Sequence, residues 1–215
     1  PSGTGLVEFQ KEFPERFFDV GIAEQHAVTF AGALSKGGLK PVCAIYSTFL
    51  QRSQDNLIHD VALQRQHAIL ALDRAGLVGA DGATHNGVFD ISYLGHIPES
   101  VIAAPKDEFE MDRMFELAVD YPHLFAIRFP RANVPKIYNG FPKKSFGLGE
   151  GEVLKEGSDV TLLALGSMVE IALQVRDILK QADVEVRVVN ISFAKPLDQA
   201  LILDSLDKTP FLFTL

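Results

Sequence analysis

Runs of apolar residues of strand length alternate along this chain with longer stretches of helical periodicity, and that alternation restricts the fold more than any other property of the sequence. Strands are expected at 41–46, 67–72, 101–104, 125–129, 160–165 and 184–191. Helices are expected at 22–34, 49–64, 107–121, 169–181 and 197–206. An α/β protein with a largely parallel sheet follows. The first helix carries Ala23, Ala27, Ala31, Gly32 and Ala33, small residues that permit close packing, so a central position or a subunit contact is expected. Ser47 or Thr48 can cap the second helix, and Asp107 lies at the start of the third. Residues 211–215 read as a strand just begun.

After Arg131 the composition changes. Residues 132–146 carry Pro135, Asn139, Gly140, Pro142, Lys143 and Lys144, as an interdomain linker does. One domain over 1–131 and a second α/β unit over 147–215, cut short, are therefore expected. The chain opens on Pro1-Ser2-Gly3-Thr4-Gly5 without an initiator methionine, which suggests a fragment of something longer. Twenty-eight acidic residues against 20 basic ones give a net charge of -8, which argues against a general nucleic-acid or anionic-membrane surface. With no apolar run of membrane-span length and no leader pattern, a soluble protein is expected. Cys43, the single cysteine, excludes an internal disulfide and reads as a small buried hydrophobe on a strand.

Three segments carry candidate chemistry. Glu24 sits in the apolar, small-residue run 18–26, where an acid without a cationic partner has its pKa raised and can hold a proton near neutral pH. The bland alternative is a helix-start acid satisfied by backbone amides. Tyr46, Phe49 and Arg52 lie at a strand end and the start of a helix, where a core phenylalanine and a solvated arginine are the plain reading. The loop 73–86 is harder to explain structurally: Asp73, Arg74, Asp81, Thr84 and His85 stand among glycines at the carboxyl end of a strand. A phosphate or a reacting carbonyl needs such donors and proton carriers there, and a capping network is the alternative. Arg131, at another strand terminus, can supply a bidentate phosphate contact. Gly147-Leu148-Gly149-Glu150-Gly151 lacks the strand before and helix after that a dinucleotide fingerprint requires, and reads as a turn. The histidines have no zinc-ligand spacing, and His59 and His67 read as surface or strand-edge residues.

The runs 19–30, 44–52, 59–64 and 72–82, with 159–165 and 193–198, resemble the 1-deoxy-D-xylulose 5-phosphate synthase family of thiamine diphosphate enzymes, transferases of the transketolase-like superfamily. The resemblance implies a parallel-sheet pyrimidine-binding domain followed by part of a transketolase C-terminal-like α/β domain. The magnesium and diphosphate ligands would lie in a domain upstream. It implies that Glu24 bonds the aminopyrimidine ring of the cofactor, with Ile22, Phe49 and Arg52 in the cofactor pocket and Phe49 stacked on the ring. Tyr46, Arg74 and Arg131 would hold the phosphate of glyceraldehyde 3-phosphate, while Asp81 and His85 orient substrate and move protons as pyruvate is decarboxylated and condensed with it. The product would feed isoprenoid, thiamine and pyridoxal synthesis. A homodimer in a bacterial cytoplasm, rather than a plastid, is the matching expectation. Ala132 replaces the glycine usual after that arginine, His67 replaces a usual proline, and Asn86 and Gly95-His96 also depart from the family pattern.

Two alternatives remain at this point. A β-subunit-like 2-oxoacid dehydrogenase component or a split transketolase half would also lack the diphosphate domain, although the Gly-Ala-Asp-Gly-x-Thr-His loop argues against it. A non-catalytic assembly module is the other, and the isolated fragment is expected to be inactive.

Overall fold

The computed structural model describes residues 2–134 and 146–215 and divides the chain into two compact units, 1–100 with 122–124 and 101–121 with 125–215. Of the expected linker, 135–145 lie outside the described residues.

In the first unit, α1 is Val7–Glu12, α2 Glu24–Lys36, β1 Val42–Tyr46, α3 Ser47–Leu50, α4 Gln54–Asn56, β2 Ala68–Asp73 and α5 Asp90–Gly95. β1 and β2 are parallel, in a register that sets Tyr46 beside Asp73 at their carboxyl ends. The small residues of α2 have a specific use. Val28, Ala31 and Gly32 form its buried face, and a Cβ on Gly32 would fall 2.8 Å from the main-chain oxygen of Asp60. The helix is thus pressed against the segment Leu57–Ala62. Cys43 is buried on β1 as expected, and burial pushes its thiol up to about 12.

The single helix expected over 49–64 is instead a broken rod: α3, a 3-10 turn Gln51–Ser53, α4 and a π turn Leu57–Ala62. Leu50, Ser53, Leu57 and Val61 still face inward, at spacings of three and four. The expected cap is not made either. Ser47 is the first residue of α3 rather than its cap, and its buried hydroxyl has no side-chain partner among the described residues. Gly87 explains this, since a Cβ there would lie 2.4 Å from Ser47 Oγ, so the serine fills the floor of the neighbouring loop. The π turn sets both Asn56 and Asp60 against Thr29 of α2, with Asn56 Nδ2 donating to Thr29 Oγ1 at 3.0 Å. Uniform 3.6-residue periodicity carries no sign of such a bulge.

In the second unit, β3 is Val101–Ala103, α6 Glu108–Asp120, β4 Leu124–Arg128, β5 Glu152–Lys155 and β6 Val160–Ala164. They are followed by α7 Met168–Leu179, β7 Val186–Asn190, β8 Phe193–Lys195, α8 Gln199–Lys208 and β9 Phe211–Thr214. β3 pairs parallel with β4 and antiparallel with β8. A four-stranded sheet runs in the order β5-β7-β6-β9, with β6 parallel to both neighbours and β5 antiparallel at the edge. Its core joins Leu154, Leu162, Val186 and Val188 to Val169, Ala172 and Leu173 of α7. Fully burying one such Val or Leu contributes about 1.5–3 kcal/mol. Asp107 caps α6 as expected, its carboxylate accepting from the Glu110 amide at 2.8 Å. The glycine-rich stretch at 147–151 is a turn: Gly149 has φ 77° and the Glu150 carboxylate accepts from the Gly147 amide. The α/β class with parallel strands is as the sequence indicates. β5 and β8 are additions, too short for periodicity to reveal.

Candidate active site

Glu24 opens α2, where the helix dipole favours an acid. Its side chain is 11% exposed and has a cationic partner: Arg52 Nη1 donates to Glu24 Oε2 at 3.2 Å. The picture of an unpartnered acid is therefore corrected by the 3-10 turn that brings Arg52 across to it. Glu24 Oε1 accepts from none of the described residues. Arg52 also lies over the Phe49 ring, 5.3 Å from its centroid, so one guanidinium joins the acid to an aromatic face.

Phe49 is the centre of an aromatic group. Tyr46 stacks on it at 5.7 Å with an interplanar angle of 13°, and His85 meets it edge-on at 5.2 Å. On the other face of the group, the Arg74 guanidinium lies 4.0 Å from the Tyr46 ring centroid. Arg74 follows β2 in the left-handed region, φ 58°, a conformation that costs an arginine free energy and is held by its surroundings. The Asp73 carboxylate accepts from the Arg74 main-chain amide at 2.7 Å and from its Nη1. Asp81 accepts from Arg74 Nε at 3.1 Å. Desolvation works against the Arg74 charge, but the flanking Asp73 and Asp81 outweigh it and hold its pKa above the ordinary value.

Asp81 and His85 are carried by a loop pinched at its neck, where Gly76 and Gly87 exchange both main-chain hydrogen bonds, at 2.7 and 2.9 Å. Asn86 braces the loop from within by accepting from the Val78 amide at 2.8 Å. Gly82, at φ 81°, makes the turn between Asp81 and His85. Thr84 Oγ1 lies 2.9 Å from His85 Nδ1, while Nε2 has no hydrogen-bond partner among the described residues.

Seven of the expected site residues, Glu24, Tyr46, Phe49, Arg52, Arg74, Asp81 and His85, thus form one chain of contacts. Ile22 is not in it: it precedes α2 with its side chain 90% exposed. Arg131 is exposed in the second unit, three residues beyond β4. One participant, and one acid outside this chain of contacts, are not legible in the sequence. Gly3 contributes only a carbonyl, which accepts from Tyr46 Oη at 2.9 Å and Arg74 Nη1 at 3.4 Å. Asp60 accepts from Thr29, Asn56 and His59 and, chiefly through Thr29, is held down to about 2. A main-chain atom has no residue signature, and Asp60 looks like any acid on a helix surface.

The family described as "Transketolase, pyrimidine binding domain" matches residues 1–136, and "Transketolase, C-terminal domain" matches 149–215. Among curated relatives, the 1-deoxy-D-xylulose-5-phosphate synthase of Heliobacterium modesticaldum is 50% identical over 209 residues, covering 97% of this chain and 32% of the relative. That of Dictyoglomus turgidum is 55% identical over 200 residues, covering 92% and 32%. The chain spans about a third of the length of these relatives. A solved structure named "Split gene transketolase, inactive beta4 tetramer" is 31% identical with a TM-score of 0.88, covering 100% of this chain and 69% of the other.

Proposed function

We propose, for a chain that belongs to the transketolase family, that it is the pyrimidine-binding and C-terminal part of a thiamine diphosphate-dependent synthase joining pyruvate to glyceraldehyde 3-phosphate, with loss of carbon dioxide, to give 1-deoxy-D-xylulose 5-phosphate. In this reading residues 1–131 are the pyrimidine-binding domain, 132–146 the linker and 147–215 the start of the C-terminal domain. The observation that carries it is the joining of a half-buried acid, an aromatic face and a second arginine in one set of contacts, Glu24–Arg52–Phe49–Tyr46–Arg74.

These residues suit the group they would hold. A planar nitrogen heterocycle needs a ring to stack on and a carboxylate oxygen to bond, and Phe49 and Glu24 Oε1 supply both. Thiamine diphosphate, when bound, supplies an acidic carbon that serves as nucleophile towards the keto group of a 2-oxo acid. Glu24 holds a proton at a ring nitrogen of the pyrimidine, and Arg52 fixes the carboxylate. Arg74 and Tyr46, with Arg131, bind the acceptor phosphate. Asp81 orients the acceptor and His85 moves a proton at its carbonyl oxygen. Ile22 lines the cofactor pocket, while Mg2+ and the diphosphate are held by a domain outside this chain. The working enzyme is a homodimer of the bacterial cytoplasm; among the described residues no helix is long and apolar enough to cross a membrane.

The test is product formation from pyruvate and glyceraldehyde 3-phosphate by the full-length protein carrying this chain, compared with its Glu24→Gln variant. A fall of about a hundredfold or more is expected. No activity in a folded, cofactor-loaded parent would exclude the synthase. The likeness to a split-gene transketolase named inactive supports a second reading for the isolated chain: it folds and assembles without turnover. Sedimentation and the same assay on residues 1–215 alone check it, with assembly and no product expected.

A further inference from the structure

The Ser2–Thr4 turn carries no charged side chain, yet it touches the two residues assigned to the acceptor phosphate. Tyr46 has one hydroxyl proton, and the Gly3 carbonyl takes it at 2.9 Å. The same oxygen accepts from Arg74 Nη1, whose other proton goes to Asp73, while Nε goes to Asp81. Among the described residues none accepts from Nη2. Approach is close as well: a Cβ at residue 3 would lie 3.0 Å from Tyr46 Oη. Tyr46 has little room to give, because its ring is stacked on Phe49 and lies under Arg74.

Charge alone does not favour an anion here. One guanidinium stands between two carboxylates, so Arg74, Asp73 and Asp81 together carry a net negative charge. Binding of a phosphate then depends on how the remaining Arg74 N–H groups are aimed rather than on the local field, since the one Tyr46 O–H is taken by Gly3. Besides Asp73 and Asp81, the group that fixes their aim is the Gly3 carbonyl.

We propose that the main-chain carbonyl of Gly3 is a positioning group of the acceptor site: by fixing the Tyr46 hydroxyl and the Arg74 guanidinium in one orientation, it sets the preference for a phosphorylated over an unphosphorylated acceptor. This rests on the reading of Arg74 and Tyr46 as the phosphate site, with Arg74 donating and Tyr46 acting through the ring on which the guanidinium lies. Residue 3 is then glycine because any side chain would press on the Tyr46 hydroxyl. Its backbone lies outside the left-handed region, so alanine introduces contact without backbone strain.

The experiment uses the full-length protein with thiamine diphosphate and Mg2+, comparing the parent with Gly3→Ala, Tyr46→Phe, their double variant and Arg74→Ala. KM and kcat are measured for glyceraldehyde 3-phosphate and for unphosphorylated glyceraldehyde. Gly3→Ala and Tyr46→Phe should each raise KM for the phosphorylated acceptor about tenfold and change that for the unphosphorylated one by less than about twofold. The double variant should match either single one, since both break the same bond. Should Gly3→Ala not fold, replacing Thr4 by its α-hydroxy acid weakens the Gly3 carbonyl as an acceptor without adding an atom, and the same preference should fall. If Tyr46→Phe and Arg74→Ala raise KM while Gly3→Ala or the ester leaves it at the parent value, or if the single effects multiply, the proposal is overturned and the reading of the phosphate ligands stands. If Arg74→Ala and Tyr46→Phe leave phosphate preference unchanged, that reading fails and the inference falls with it.

Discussion

Two ionic clusters of similar composition do different work in this chain. In the second unit, Lys106 Nζ lies 2.6 Å from both Glu110 Oε1 and Glu152 Oε1. Glu110 also accepts from the Lys106 amide, Asn190 Nδ2 and Ser192 Oγ. Lys106 is 6% exposed and Glu110 1%. Burial works to lower the Lys106 pKa, but the Glu110 charge and the bonds to Glu110 and Glu152 outweigh it, so the ammonium is held above its ordinary value. In the first unit, Arg74 is also flanked by two carboxylates, but it sits in the left-handed region beside a glycine-rich loop and leaves Nη2 unpaired among the described residues. Both clusters concentrate charge. The first is closed on itself and holds strands together; the second leaves one donor edge without a partner among the described residues and rests on a strained backbone.

Breaking the closed cluster should cost the most. Lys106→Met leaves Glu110 buried without its cation, and a loss of about 3–5 kcal/mol is expected in urea unfolding. The double variant Lys106→Met with Glu110→Gln should be more stable than Lys106→Met alone, because the unpaired charge is gone. Equal stability of the two would show that lost packing, and not charge, was responsible.

The open cluster should be sensitive to its frame rather than to its charge. Gly87→Ala puts a Cβ 2.4 Å from both the Arg74 main-chain oxygen and Ser47 Oγ. Overpacking of that kind costs about 1–3 kcal/mol, and in the full-length protein it should also raise KM for the phosphorylated acceptor by displacing Arg74. Arg74→Ala should cost less, about 1 kcal/mol, since Asp73 and Asp81 are each 18% exposed and regain water when the cation is removed. A loss as large as that for Lys106→Met would erase the distinction between the two clusters.

How much of this was legible in the sequence follows the same division. Strand positions were readable to within about two residues because Ile69, Leu70 and Leu72, or Val186, Val188 and Val189, are apolar runs that only a buried strand accommodates. The candidate residues that meet in one set of contacts were readable where a polar group stands in a setting that a core does not need, as Arg74 and Asp81 do among glycines. What was not readable depends on geometry that residue type does not encode: the π turn that sets Asp60 on Thr29, the carbonyl of Gly3, and the closing of Lys106 on Glu152 across 46 positions of sequence. The sequence marks Glu24 as an acid in an apolar run, but its pairing with Arg52 depends on the break in the helix after Leu50.

Asp60 lies between the two extremes and gives the smallest and most condition-dependent effect. It is held by neutral donors, Thr29 and Asn56, and by His59, at a side-chain exposure of 21%. Its folded pKa of about 2, against an ordinary 3.8, means that its contribution is complete above the unfolded value and is lost as pH falls through the folded one. His59 has the opposite sign. Its hydrogen bond to Asp60 raises its pKa, so its contribution is complete below its ordinary value of 6.5 and is lost as pH rises through the folded one. Because His59 is mostly exposed, solvent screening keeps its share the smaller. Asp60→Asn removes both contributions. The stability difference between parent and variant should therefore be greatest near about pH 5, somewhat smaller at about pH 8, and should shrink steeply below about pH 4. Urea midpoints at these values test it. A difference independent of pH would mean that Asp60 works by shape alone, as a filler between α2 and the π turn, and would place it with the packed residues rather than between the two clusters.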